Sequence, residues 1–203
     1  MIKNIIFDFG DIFIDLDKTA TPKEMSKFGF TELTPELDHL SKLYEKGLIS
    51  SSDFVSKMNH IFPKATTKEL LYAWNAILLD FPDYRLEFLE KLAKEGTYRL
   101  FLLSNTNEIH INEVIGKNGA EKFERFKNCF EQFYLSHEIH FRKPNADIYQ
   151  FVLNSNNLIP SETFFIDDTK ENTDAAEKLG IICWNLQVGA EDVINLKSKL
   201  KTC

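Results

Sequence analysis

The chain has 203 residues, 43% of them apolar, which is enough for one full core plus an accessory element. Acidic residues outnumber basic ones 31 to 24, giving a net charge of -7, and this diffuse excess attracts neither nucleic acid nor an anionic membrane surface. Glycine (8) and proline (6) are too scarce for long disordered linkers, and no apolar run approaches the roughly 20 residues that span a bilayer.

In chain order, Lys3 to Phe7 reads as a buried strand ending at Asp8. This opening run, about five apolar residues, is too short for a signal peptide. Residues 12 to 17 alternate in part and suggest a short extended flap. From about Thr19 to Asp80 the apolar spacing turns helical: Leu37, Leu40 and Tyr44, then Phe54, Val55, Met58, Ile61 and Phe62, then Leu70, Leu71, Trp74, Ile77 and Leu78. Pro35 suits a first helical turn, and Ser50 to Asp53 a helix start. This segment is expected to be an insertion of three or four helices.

Beyond Phe81-Pro82, helix and strand alternate. Helices are expected over 84–94, 108–126 with a break near Gly116 to Gly119, 146–156, 171–179 and 191–199. Strands are expected over 98–103, 130–135, 163–166 and 181–185. Such alternation predicts an α/β fold, a Rossmann-like parallel sheet covered by helices on both faces. Residues 1–17 and 81–203 would form the core and residues 18–80 a small helical cap. The cap leaves just after the first strand, so it would emerge over the carboxyl ends of the strands. The three cysteines, Cys129, Cys183 and Cys203, share no metal-binding spacing and read as reduced thiols of a cytoplasmic protein.

Polar residues follow three of these strands, and a fourth stretch, Phe141 to Pro144, adds a lysine. Asp8 follows the first strand, Ser104-Asn105 the second and Asp167-Asp168 another, with Lys143 in the loop between the last two. The carboxyl ends of parallel strands line one crevice, so one site is expected to gather carboxylates, a hydroxyl and a lysine. That set suits Mg²⁺ and a phosphate. Asp8 and Asp168 could each give the metal an oxygen, while Asp167 orients a metal-bound water or its partner. Asp8 could also attack phosphorus to form an aspartyl-phosphate. Lys143 would neutralise the phosphate and the attacking carboxylate. The Ser104 hydroxyl and the following amides, from Asn105 on, would hold phosphate oxygens at a helix start. Asn172 could reach back to Lys143 or Asp168.

These residues fall in Phe7-Asp8-Phe9-Gly10, Leu103-Ser104-Asn105-Thr106-Asn107, Arg142-Lys143-Pro144 and Phe165-Ile166-Asp167-Asp168 followed by Asn172. In that order they resemble the haloacid dehalogenase-like hydrolase superfamily over essentially the whole chain. Tyr44 to Ser50, and Tyr134-Leu135-Ser136 followed by Arg142-Lys143-Pro144, look most like its glucose-1-phosphatase branch. The resemblance implies a Mg²⁺-dependent phosphatase acting on a small phosphomonoester such as a hexose 1-phosphate. Most phosphatases of the superfamily carry a second aspartate two residues after the nucleophile, which moves protons; here that position is Gly10. Its carbonyl can still face the metal, and the branch also has glycine there. Asp11 is the candidate for the missing general acid, with water as the alternative carrier. Two other readings stand beside the phosphatase: a metal-independent haloacid dehalogenase, and a non-catalytic module that binds or regulates through a phospho-ligand. His137, His140, Glu45 and Lys46 flank the expected crevice as possible substrate contacts or solvated loop residues.

Overall fold

The central strands carry unbroken apolar runs, residues 5–7, 100–103 and 164–166, the pattern of strands covered on both faces. In the structure, a computed structural model that describes residues 1–201, β1 (Asn4–Phe7), β2 (Arg99–Ser104), β3 (Gln132–Leu135), β4 (Thr163–Asp167) and β5 (Ile182–Asn185) form one parallel sheet in the order β3-β2-β1-β4-β5. Alternate side chains go to opposite faces. Ile5, Phe7, Leu100, Leu102, Phe164 and Ile166 enter one apolar cluster. Ile6, Phe101, Leu103 and Phe165 enter another. The first cluster packs under α5 (Asp83–Glu95), α6 (Glu108–Asn118) and α7 (Ala120–Lys127), the second under α9 (Ala146–Ser155) and α10 (Lys170–Glu177). A short α8 (Ser136–Ile139) caps β3, and α11 (Leu196–Leu200) ends the chain.

Four helices lie between β1 and α5: α1 (Ala20–Ser26), α2 (Pro35–Glu45), α3 (Ser51–Ile61) and α4 (Thr67–Asn75). Their starts follow capping chemistry. Thr34, Ser50 and Thr66 each accept a backbone N–H three residues on, and Glu69 completes a capping box with Thr66. Leu37, Leu40, Tyr44, Phe54, Met58 and Leu70 give the insertion an apolar cluster of its own, and Tyr44 stacks on Phe54 at 4.3 Å.

Residues 12 to 17 are the extended flap read from the sequence only in part. Asp11 to Phe13 form a turn, with Asp11 at φ 56°, whereas residues 15 to 17 run antiparallel to residues 77–80, with Asp15 N–H donating to the Asp80 carbonyl and Leu16 bridging Leu78. The last expected helix is also split. Asp192 accepts from Ile194 N and starts a 3-10 turn over Val193–Asn195, after which α11 begins. Cys129 and Cys183 are free thiols; Cys203 lies outside the described residues. Among the described residues no helix is long and apolar enough to cross a membrane.

Candidate active site

Strand register brings the acids together. Phe7 pairs with Leu102 on one side and Ile166 on the other, so Asp8 and Asp167 leave the sheet at the same level. The Asp8 N–H donates to the Ile166 carbonyl at 2.9 Å. Asp8, Asp167 and Asp168 each present an oxygen within 4.8 Å of the others.

Lys143 stands between two of them. Its ammonium lies 2.8 Å from Asp8 Oδ1 and 2.6 Å from Asp167 Oδ2, and its side chain is 1% exposed. Burial opposes the charged lysine, but Asp167 and Asp8 outweigh it and hold its pKa above the ordinary lysine value. The Asp8 pKa is raised too, which for a carboxyl disfavours the charged form. Burial raises its carboxyl to about 7, Lys143 pulls it down, and Asp167 raises it again. Two carboxylates share one ammonium, so Asp8 ionises against resistance.

Asp167 is saturated. Its Oδ1 accepts from Thr169 N at 2.8 Å, and Asn172 Nδ2 lies 3.0 Å from each carboxylate oxygen. Asn172 therefore reaches neither Lys143 nor Asp168; it locks Asp167. With Asp167 committed, Asp8 and Asp168 are the carboxylates whose chemistry fits a divalent cation.

The Asn105 side chain has a task the sequence did not show. Its Nδ2 donates to the Lys143 carbonyl and its Oδ1 accepts the Lys143 N–H, both at 2.9 Å, so the side chain holds the Lys143 loop. Ser104 ends β2 and is buried. The following amides do not open a helix directly: α6 begins at Glu108, capped by Asn107, and the Thr106 N–H already donates to Ser136 Oγ at 2.9 Å. Ser136 donates back to the Thr106 carbonyl at 3.0 Å. The sequence reading gave Ser136 no role, although its place just past β3 follows the same strand-end rule.

Gly10 sits under Leu16. A Cβ there would meet Leu16 Cδ1 at 2.7 Å. Asp11 lies outside the three-carboxylate group. Its Oδ1 accepts from Leu16 N at 3.0 Å and its Oδ2 pairs with Lys18 at 2.9 Å. Lys18, absent from the expected site, also reaches Asp168 Oδ2 at 2.5 Å.

The insertion is pinned to the rim. Glu45 pairs with Arg142 at 2.5 Å, His140 Nδ1 donates to the Lys46 carbonyl at 2.8 Å, and Trp74 Nε1 donates to Asn107 Oδ1 at 3.4 Å. Below it lies a cavity of about 120 Å³, lined in part by Gly10, Leu16, Glu45, Ser104, Thr106 and His110. Burial lowers the His110 pKa to about 4, so this ring is neutral. His137 lines a neighbouring surface cleft and leaves Nδ1 buried without a partner.

Residues 5–185 match the model of the haloacid dehalogenase-like hydrolases. A D-ribitol-5-phosphate phosphatase from Bacteroides thetaiotaomicron is 27% identical over 197 residues, covering 94% of this chain and 95% of that one. A crystal structure of a haloacid dehalogenase (HAD) family enzyme from the same organism, in complex with magnesium and inorganic phosphate, superposes with a TM-score of 0.77. It is 34% identical, with 94% of this chain and 97% of that chain covered. A predicted HAD-like family hydrolase from Porphyromonas gingivalis gives a TM-score of 0.83 at 28% identity, covering 99% and 98%.

Proposed function

The chain belongs to the haloacid dehalogenase-like hydrolase family, and we propose that it is a Mg²⁺-dependent phosphatase of a small sugar or polyol phosphate. The observation that carries this reading is the buried Lys143 ammonium bridging Asp8 and Asp167, with Asp168 alongside. That arrangement supplies a carboxylate nucleophile, a fixed positive charge and an oxygen site for a cation. The similarity to a D-ribitol-5-phosphate phosphatase and to a relative that binds magnesium and phosphate supports it.

Asp8 and Asp168 would hold the cation, with the Gly10 carbonyl as a further oxygen donor. Bound there, a divalent cation supplies charge that lets an anionic carboxylate approach a phosphate dianion. Asp8 attacks phosphorus, the bond to the ester oxygen breaks, and the phosphoryl group resides on Asp8 until water cleaves it. Lys143 steadies the attacking carboxylate and the incoming phosphate oxygens. Ser104 donates its hydroxyl to the phosphate. Asp167 and Asn172 keep Lys143 in place. Asp11 moves no proton on this reading, because both of its oxygens already hold donors; the leaving oxygen takes its proton from water. Residues 18–80 act as a cap over the crevice.

The test is a hydrolysis panel of phosphomonoesters, with D-ribitol 5-phosphate and hexose 1-phosphates foremost, run with and without Mg²⁺. Release of phosphate that disappears in a chelator supports the reading. Absence of turnover across the panel, with phosphate analogues still binding, would replace it with a non-catalytic binding role.

A further inference from the structure

Four carboxylates and two ammoniums meet at the carboxyl ends of β1 and β4. Lys143 serves Asp8 and Asp167. The second ammonium is that of Lys18, 2.5 Å from Asp168 Oδ2 and 2.9 Å from Asp11 Oδ2. The Asp168 and Asp11 side chains are only 8% and 5% exposed, whereas Lys18 is 55% exposed. A lysine from the surface thus covers two nearly buried acids.

Lys18 reaches them from the linker that leads into α1. Around it, Thr19 N and Oγ1 both donate to Asp17 Oδ1, at 2.9 and 2.6 Å, and the Asp17 N–H donates to the Ile77 carbonyl at 2.9 Å. The backbone on either side of Lys18 is held, while its long side chain is free to change partner.

An ion pair between exposed groups would mean little. Here Asp168 stands within 4.8 Å of two other carboxylates, and like charges so close in a buried place repel strongly unless a cation intervenes. Asp168 needs positive charge whether or not a metal is present, and Lys18 supplies it from within the chain. An ammonium at 2.5 Å and a divalent cation on the same carboxylate oxygen repel each other. Asp11 offers the lysine a second berth outside the three-carboxylate group.

We propose that Lys18 is a tethered counter-cation of the metal site: it neutralises Asp168 while no divalent cation is bound, and withdraws onto Asp11 when one binds. This rests on the metal reading given above. Both ammoniums stay in the cluster throughout: four carboxylates against two ammoniums leave it two charges negative, and a divalent ion brings it to neutrality while Lys18 rests on Asp11. It also lowers the apparent metal affinity, because the site is competent only while Lys18 is away. The same exchange detaches the linker before α1 from Asp168, so metal occupancy is coupled to how firmly the insertion is tied to the core.

The experiment measures Mn²⁺ binding by electron paramagnetic resonance, without substrate, for wild type, Lys18→Met, Lys18→Gln and Lys170→Met. Lys170 is an exposed lysine near the site whose ammonium pairs with Asp174, so its loss reports the general effect of removing one charge. At 0.15 M salt, where the screening length is about 8 Å, Lys170→Met should change the dissociation constant by less than about twofold. Both Lys18 variants should bind Mn²⁺ at least about fivefold tighter than wild type, since the competing occupant is gone. In chelator they should melt below wild type, and saturating Mn²⁺ should narrow that deficit to what loss of the Asp11 pair leaves. Affinity unchanged or weakened in both Lys18 variants, or a gain no larger than that of Lys170→Met, overturns the inference and leaves the metal reading standing. Failure of wild type to bind Mn²⁺ at all overturns both.

Discussion

Asn105 grips Lys143 by its backbone, donating to the carbonyl and accepting from the N–H, each at 2.9 Å, across 38 residues of sequence. The loop carrying Lys143 has no regular structure to fix it, so this clasp and the two carboxylates at the ammonium set its position. Asn105→Ala leaves the Lys143 N–H unpaired in a partly buried place, and the Lys143 carbonyl with its Arg142 Nη1 donor alone, which should cost about 1–3 kcal/mol of stability. Because a misplacement of about 1 Å can cost a hundredfold in rate, kcat should fall about ten- to a hundredfold. Steady-state kinetics and thermal melts check both numbers. Unaltered kcat would mean that Asp8 and Asp167 hold the lysine unaided.

Asp8→Asn keeps the shape of the side chain and removes the nucleophile together with one anionic metal ligand. Activity should drop at least about a hundredfold, since the covalent route is lost. Phosphate release from the best substrate of the panel is the measurement. Near-normal turnover in this variant, or full wild-type activity in a chelator, would sink the aspartyl-phosphate mechanism.

The raised pKa of Asp8 makes a separate claim about stability. Burial is its main cause, and it lifts the carboxyl from the ordinary 3.8 to about 7. A carboxyl whose folded pKa exceeds its unfolded value binds protons more tightly in the native state. Its contribution is therefore fully present below the unfolded value and is lost as pH rises through the folded one. Metal-free protein should lose stability from this group between about pH 4 and pH 7, on the order of 2–4 kcal/mol. Asp8→Asn cannot ionise, so in chelator at pH 8 it should melt above wild type, with the gap narrowing toward pH 5. A variant less stable than wild type at pH 8 would show that the ionised Asp8 is a net stabiliser through Lys143.

Much of this site was legible because parallel strands announce their ends. Fully apolar runs stop at Asp8, Ser104 and Asp167-Asp168, and the sheet sets those stops side by side. What the sequence hid is partnership between side chains. Asn105 reads only as the first of the phosphate-facing amides until its side chain is seen against the Lys143 loop. Asn172 has the reach for three groups, and only the start of α10 decides that it binds Asp167. Lys18 gave no signal, because a flexible lysine on a linker can point anywhere. The flap at residues 12 to 17 is extended only beyond Ile14, because its first apolar residues fill a bend: Ile12 and Phe13 are buried, and Phe13 packs on Phe7 at 5.4 Å.

Gly47 is where the insertion sits tightest on the core. Its φ is +62°, and an added Cβ would fall 1.9 Å from the His137 carbonyl oxygen. A backbone carbonyl cannot step aside as a side-chain tip can. Gly47→Ala should therefore lift the α2–α3 turn from the core as well as strain its own backbone. Gly96 provides the control, with the same φ of +62° and nothing within 4 Å. Gly96→Ala should cost about 1 kcal/mol from backbone strain alone. Gly47→Ala should cost about 1–3 kcal/mol more and raise KM. Equal melting temperatures for the two variants would show that the turn yields without consequence.

The seating of the insertion also bears on what can enter. Glu45, paired with Arg142 beside Lys143, lines the small cavity together with Ser104 and Thr106. A phosphate that reaches Asp8 must bring its leaving group under this roof. On the proposed reading, a sugar or polyol would use the Glu45 carboxylate as a hydroxyl acceptor, whereas a phosphoserine on a peptide would have to carry its flanking backbone past the same rim. Closure around a small substrate also expels water, which strengthens the pull of Lys143 on the transferring group. The best sugar or polyol phosphate of the panel should exceed a phosphoserine peptide in kcat/KM by about ten- to a hundredfold, or about 1.4 to 2.7 kcal/mol of transition-state discrimination. Glu45→Ala should narrow that margin by slowing the small substrate rather than by speeding the peptide. Equal turnover of peptide and small substrate by the wild type would mean that the insertion does not cover the crevice during catalysis, and the small-molecule assignment would fall with it.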